Sequence, residues 1–439
     1  MSERTPQASA RPHPARAAIA AFVGTTIEWF DFYVYATAAA LVFGTQFFPE
    51  GTDPMIGLMA SFATFSVGFF ARPVGGIVFG HFGDRLGRKS ALVTTLLMMG
   101  TATFAVGLLP TYAQAGFWAP LALVVLRFVQ GIAVGGEWGG AVLMAVEHAP
   151  RRSKTFYGSF AQLGNPAGAL LATGSFSLIT AFGGDPFLQE WGWRLPFLAS
   201  IVLVLVGLFI RLKVEESPVF SAVHEQAAAA PREAPLREAV RTSWRTLLLG
   251  LGALPVAVGG YYIVTTFLQA YATTEAGVST QVILNALSAA AFIELVATLG
   301  VSWLGDRVGT RRIVIIGLLA VAVLAVPQFL AMSWGTVMVF VSVSVMRLAM
   351  AATYGPIARI LSQMFAPKVR YTSVSLAYQV AGALFGGLAP ITCTALLSAT
   401  GSIYPVAALL VAMSLLSIFC LLKAPSYDDD KVLEEIASA

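Results

Sequence analysis

Long apolar runs alternate with short polar breaks along the whole chain. The runs fall near residues 17–47, 55–80, 90–109, 117–146, 155–182 and 193–210, then 246–271, 281–304, 313–332, 335–364, 372–398 and 403–422. Each can cross a hydrocarbon core about 30 Å thick, which takes about 20 helical residues. Lipid leaves no solvent for backbone polar groups, so a spanning segment of this kind is a helix. The pattern predicts an all-α integral membrane protein with twelve transmembrane helices in two pseudo-symmetric six-helix bundles. Its segments are a tail at 1–16, a first bundle at 17–213, a central loop at 214–245, a second bundle at 246–423 and a tail at 424–439.

Composition agrees with this pattern. Of 439 residues, 57% are hydrophobic and 11% charged, against about 25% charged in soluble domains. Cys393 and Cys420 lie in apolar runs and offer neither metal-site spacing nor a disulfide framework. The first sixteen residues run into the first apolar stretch without a cleavage signal, so the first helix is expected to be retained. The net charge of +4 matters less than its distribution: one side of the predicted membrane holds 22 of the 27 Lys and Arg. The positive-inside rule then places both termini and the central loop in the cytoplasm of a bacterial-type inner membrane.

Two loops repeat each other. Gly83-Asp84-Arg85-Leu86-Gly87-Arg88-Lys89 follows the second run, and Gly305-Asp306-Arg307-Val308-Gly309-Thr310-Arg311-Arg312 follows the eighth. Parallel repeats of this kind suit two halves rocking about a central site. Glycines permit the tight turn, and each aspartate suits the positive end of a helix in the other half. Asp84 is expected near the start of helix eleven, at Thr372 and Ser373. Asp306 is expected near the start of helix five, at Ser153 and Thr155. With Gly83, Arg85, Gly87, Arg88 and Arg307 they would form a latch. A pure topology signal is the competing reading.

The loop Gly80-His81-Phe82-Gly83-Asp84-Arg85-Leu86-Gly87-Arg88-Lys89 resembles that of the major facilitator superfamily. Glu28-Trp29-Phe30-Asp31-Phe32-Tyr33, Arg72-Pro73, Gly135-Gly136-Glu137-Trp138-Gly139-Gly140, Trp191-Gly192-Trp193-Arg194 and Val369-Arg370-Tyr371-Thr372 resemble its metabolite:proton symporter branch, closest to shikimate-like members. The resemblance implies proton-coupled uptake of small organic acids or zwitterions by alternating access. It leaves the substrate open.

Charged groups within the bilayer cost at least about 2.5 kcal/mol, so they usually face a cavity or a partner. Glu28 and Asp31 share a helix face, as do Arg127 and Gln130. At about 1.5 Å per residue, Glu28 and Arg127 lie near the bilayer midplane. Arg127 is expected to meet a substrate carboxylate with its planar fork. Glu28 or Asp31 is expected to carry the coupling proton, since a poorly hydrated carboxylic acid can exchange a proton near neutral pH. In the empty site Arg127 would pair with Glu28, and a static pair that only fixes packing is the competing reading. Glu294 and Arg347 form a second candidate pair, equally readable as substrate site or structural bridge. Tyr33, Tyr262 and Gln379 are candidate cavity residues. Gln162 and Asn165, an amide pair beside Pro166, suit a cavity better than a lipid face. Helices five and eleven are expected to bend at matching places. Glu137 is placed near a cytoplasmic gate or in a structural pair.

No cofactor is expected, the proton gradient being the driving force. The partners expected are a small organic anion or zwitterion, protons and the lipid bilayer, without nucleic acid; the default state is a monomer. An exporter on the same fold is the alternative to an importer. The charged residues within the spans favour a small polar substrate over a drug. Enzyme and receptor readings lack a nucleophile-base set, a metal motif or a sizeable soluble domain.

Overall fold

The computed structural model describes residues 14–86, 88–135, 151–213, 235–366 and 369–427; side chains at 14–21, 80–92, 151, 210–213 and 235–239 are not described. The expectations resting on the side chains of Gly83, Asp84, Arg85, Gly87, Arg88 and Glu137 fall outside this set.

Among the described residues, twelve helical passages follow one another. In the first half they are α1 Pro14–Leu41, α2 Pro54–Leu86, α3 Arg88–Leu108, α4 Trp118–Val134, α5 Phe160–Gly192 and α6 Arg194–Lys213. In the second half they are α7 Val240–Thr274, α8 Thr280–Val308, α9 Thr310–Leu330, α10 Thr336–Met364, α11 Arg370–Thr400 and α12 Tyr404–Lys423. Eight are long and apolar enough to cross a membrane on their described residues alone, and α3, α4 and α6 contribute shorter apolar helices. The helix leading into α7 begins at Pro235, some eleven residues before the predicted apolar run. Its first turns are polar, so hydropathy does not register them.

The halves repeat each other in packing as well as in sequence. In the first, α1 lies along α5, α2 along α4 and α3 along α6; in the second, α7 lies along α11, α8 along α10 and α9 along α12. The halves meet where α5 packs on α8 and where α2 packs on α11, two contacts related by the same repeat. Small residues bring the backbones together, as expected where lipid gives helix association little hydrophobic drive. A Cβ on Gly131 would strike the Gly68 carbonyl, and one on Gly135 the Arg72 carbonyl. Gly164 and Gly168 seat α1 against α5 at Thr25, Trp29 and Phe30.

Several departures from regular helix fall near the contact between halves. Helix α7 carries π-helical stretches at Val256–Gly260 and Ile263–Phe267, and α11 carries one at Gly382–Gly387. Such segments recur at functional sites. In α5, Pro166 lies within continuous helix between the glycine contacts with α1, and the residue with non-helical angles is Gly184.

Candidate functional site

Helix α1 presents different chemistry on opposite faces. Tyr33 and Thr37, one turn apart, point to the space between the halves. Asp31 and Tyr35, each two positions earlier and thus about 200° around the helix, point into the first half. A small cavity lies at the first face. It is lined by Tyr33, Thr37, Ala169 and Thr173 from the first half and by Thr265, Thr266, Gln269, Leu287 and Arg347 from the second. It has about 10 Å³ of room for the centre of a water molecule, enough for about one water.

Arg347 is the charged residue of this lining. It lies on α10 beside Glu294 on α8, with Nε 2.7 Å from Oε2 and both side chains buried. Tyr261 donates its hydroxyl to the same carboxylate, 2.9 Å from Oε1 and 2.8 Å from Oε2, and its ring stacks on the guanidinium. Arg347 Nη1 is left without a hydrogen-bond partner. A buried cation left with fewer acceptors than donors favours an incoming anion. Tyr33 donates to Asn165 Oδ1 at 3.0 Å, and Gln269 Nε2 and the Tyr262 hydroxyl are buried without partners. The site therefore combines one guanidinium, one carboxylate and a ring of hydroxyls and amides.

Arg127 sits elsewhere. It is fully buried inside the first half, its guanidinium 4.3 Å from the ring centres of Phe32 and Tyr35 and 5.0 Å from that of Phe65. Nη1 donates to Gln130 Oε1 at 3.1 Å, and Gln130 Nε2 donates to Thr103 at 2.7 Å, while Nε and Nη2 have no partner. Thr103 and Arg127 are also the polar neighbours acting on Asp31. The predicted Arg127–Glu28 pair is not formed: aromatic rings flank the guanidinium, and Glu28, 8% exposed, faces Tyr378 of α11. Arg127 and Gln130 do not line the cavity. Three residues of spacing placed Glu28 and Asp31 on one broad face, but α1 packs so that they address different neighbours.

The remaining candidates divide by position. Gln379 donates to the Gly135 carbonyl across the halves at 2.8 Å. Gln162 is buried with both amide atoms unpartnered. Tyr262 lies against Tyr33, Phe65 and Phe69. Asp306 accepts hydrogen bonds from the backbone N–H groups of Thr155 and Phe156, both at 2.9 Å, beside a Thr155–Thr310 hydroxyl contact of 2.9 Å. Sequence reasoning missed Thr37, Thr173, Thr265, Thr266 and Gln269. Gln269, an amide within the seventh apolar run, was the one readable signal, since threonine is common in such helices.

Contacts between the halves close the cavity on both sides. Toward the face where α1 begins and α12 ends, here the terminal face, Trp29 meets Tyr354 edge-on and Tyr354 touches Tyr378 through their hydroxyls. The Gln379 and Asp306 contacts continue this seal. Toward the opposite face, α5 and α8 are joined by Thr173 to Ser288 at 2.9 Å, Ser177 to Asn285 at 2.5 Å and Gln281 to Ser177 at 2.9 Å.

Comparison with known proteins fits this architecture. A sequence model described as Major Facilitator Superfamily matches residues 21–390. The chain is 41% identical over 405 residues to the shikimate transporter of Escherichia coli (strain K12), covering 92% of each. It is 34% identical to the proline/betaine transporter of Salmonella typhimurium, covering 85% of this chain and 76% of that one. Its fold is similar to that of a D-xylose–proton symporter, with TM-score 0.73 and 19% identity over 93% of this chain and 96% of that one.

Proposed function

Because this chain belongs to the major facilitator superfamily and is a multi-pass membrane transporter rather than an enzyme, we propose that it is a proton-coupled symporter importing a small organic acid. The observation that carries this is the Arg347–Glu294 pair at the closed cavity between the halves. Arg347 takes the substrate carboxylate, and the threonine hydroxyls, Gln269 and Tyr33 take its polar groups. With one cation in the lining, the site suits a hydroxylated monocarboxylate better than citrate.

Coupling follows from charge balance. While Glu294 is ionised it neutralises Arg347, and a second anion has no net attraction there. Protonation of Glu294 leaves a buried cation unmatched, a state worth several kcal/mol against the paired one. The substrate carboxylate relieves it. Loss of the proton on the other side restores the internal pair and expels the substrate. Asp31, with Thr103 and Arg127, forms a second proton site within the first half. A bacterial inner membrane, with both termini in the cytoplasm, accords with the loop charges.

Uptake by purified protein in liposomes with an imposed pH gradient tests this. Shikimate, 2-oxoglutarate, citrate, a simple monocarboxylate and betaine form the panel. Accumulation of shikimate or the monocarboxylate that vanishes when the gradient is collapsed is the expected result. Accumulation indifferent to the gradient overturns symport, and betaine transport without acid transport overturns the substrate class.

A further inference from the structure

A second cavity, far larger than the first, opens on the terminal face. It measures about 790 Å³ and is framed by the segment leading into α5, the α8–α9 turn, the end of α10 and the end of α12. Arg152, Lys154, Arg307, Arg311, Arg312 and Arg359 line it, and among the described residues of the lining the carboxylate is that of Asp306. That carboxylate is already engaged by the backbone of Thr155 and Phe156. The cations come from both halves: Arg152 and Lys154 from the first, the others from the second.

The walls are not all polar. Leu422 and Val308 line the same cleft and are 62% and 44% exposed. Arg307 lies with its guanidinium 3.7 Å from the ring centre of Trp303, itself exposed. Cations at the mouth with bare apolar side chains beside them match an amphiphile with an anionic head, and basic pockets between membrane helices take such headgroups. A soluble anion would use the cations and leave the apolar wall bare.

We propose that this cleft holds the phosphate headgroup of an anionic phospholipid, and that the bound lipid ties the two halves together at the terminal face. Arg152, in the segment leading into α5, and the cations of the α8–α9 turn repel each other across the cleft when it is empty. A shared phosphate turns that repulsion into a bridge, next to the Asp306 contact. The site is separate from the transport cavity and does not depend on what that cavity carries.

Native mass spectrometry of the purified protein with phosphatidylglycerol or phosphatidylcholine tests the binding. Phosphatidylglycerol is expected to be retained preferentially. Each basic residue near a charged lipid contributes about fivefold, so Arg152→Gln with Arg312→Gln should lower retention about 25-fold. The control pair Arg241→Gln with Arg245→Gln, on α7 outside the cleft, should change it little. Equal losses in both pairs, or none in the first, overturn the site. Displacement of phosphatidylglycerol by millimolar glycerol 3-phosphate overturns the lipid assignment in favour of a soluble anion. In nanodiscs, spin labels on Phe209→Cys and Val240→Cys should show a larger short-distance fraction as phosphatidylglycerol replaces phosphatidylcholine. A distribution indifferent to lipid charge overturns the bridging role.

Discussion

Replacing Asp306 by asparagine removes one charge from a contact that joins the two halves. The aspartate accepts two backbone N–H groups in the short helix Lys154–Gly158 that leads into α5, each at 2.9 Å. A hydrogen bond to a charged group contributes about 1.5–3 kcal/mol. Asparagine keeps one acceptor oxygen but turns an N–H donor toward the other backbone donor, so about 2 kcal/mol of closure is lost, near the middle of that range. At about 1.4 kcal/mol per tenfold, the closed-to-open ratio at the terminal face falls about 30-fold. A parent that favours the closed form tenfold becomes a variant that favours the open form about threefold. The Phe209–Val240 label pair reads this directly as growth of the longer distance. Thr310→Val, which removes only the neutral hydroxyl contact with Thr155, should shift the ratio much less. If Asp306→Asn leaves the distribution unchanged, the contact is a consequence of closure and contributes nothing to it.

Further outcomes follow from the same geometry. Glu294→Gln removes the proposed proton carrier beside Arg347, so gradient-driven accumulation should be lost while substrate exchange between equal pools persists; accumulation at parental levels would remove Glu294 from coupling. Arg347→Lys replaces a fork by a point charge, and the KM for the acid should rise at least about tenfold, on the order of one lost charged hydrogen bond. Ser177→Ala deletes two bonds between α5 and α8, each worth about 0.6 kcal/mol in a membrane, so opening at that side should rise about eightfold by thiol labelling of a cysteine placed at Thr37. Gly131→Ala drives a methyl into the Gly68 carbonyl and the Ala71 side chain at a cost of about 1–3 kcal/mol. Its melting temperature should fall below that of Gly174→Ala, where the added carbon meets nothing within 4 Å.

Asp306 was legible because its motif occurs twice and its aspartate needs a positive partner. The repeat named the other half, and the helix start supplied unpaired N–H groups. Arg347 and Glu294 were legible as a pair because two buried charges at similar depth seek each other. The expected meeting of Arg127 with Glu28 failed for a different reason. Spacing along the helix was legible, but azimuth was not, and at about 100° per residue a small error in facing changes every neighbour. The cavity threonines were invisible because a hydroxyl satisfied by its own helix backbone, as in Thr265 and Thr173, leaves no trace in hydropathy.

By itself the sequence settled the number of helices and the two-fold repeat. Apolar length, loop charge and a duplicated motif are properties of the chain read one segment at a time, and lipid forces each segment to be a closed helix. Only packing decided which polar side chains share a space. Glycines set how closely α1 meets α5 and α2 meets α4, and that closeness fixes the rotation of each helix. Rotation turned Tyr33 and Thr37 toward the second half, Asp31 toward Arg127, and Arg347 into the cavity. Such a relation belongs to no single segment, because it exists only once the helices are in contact.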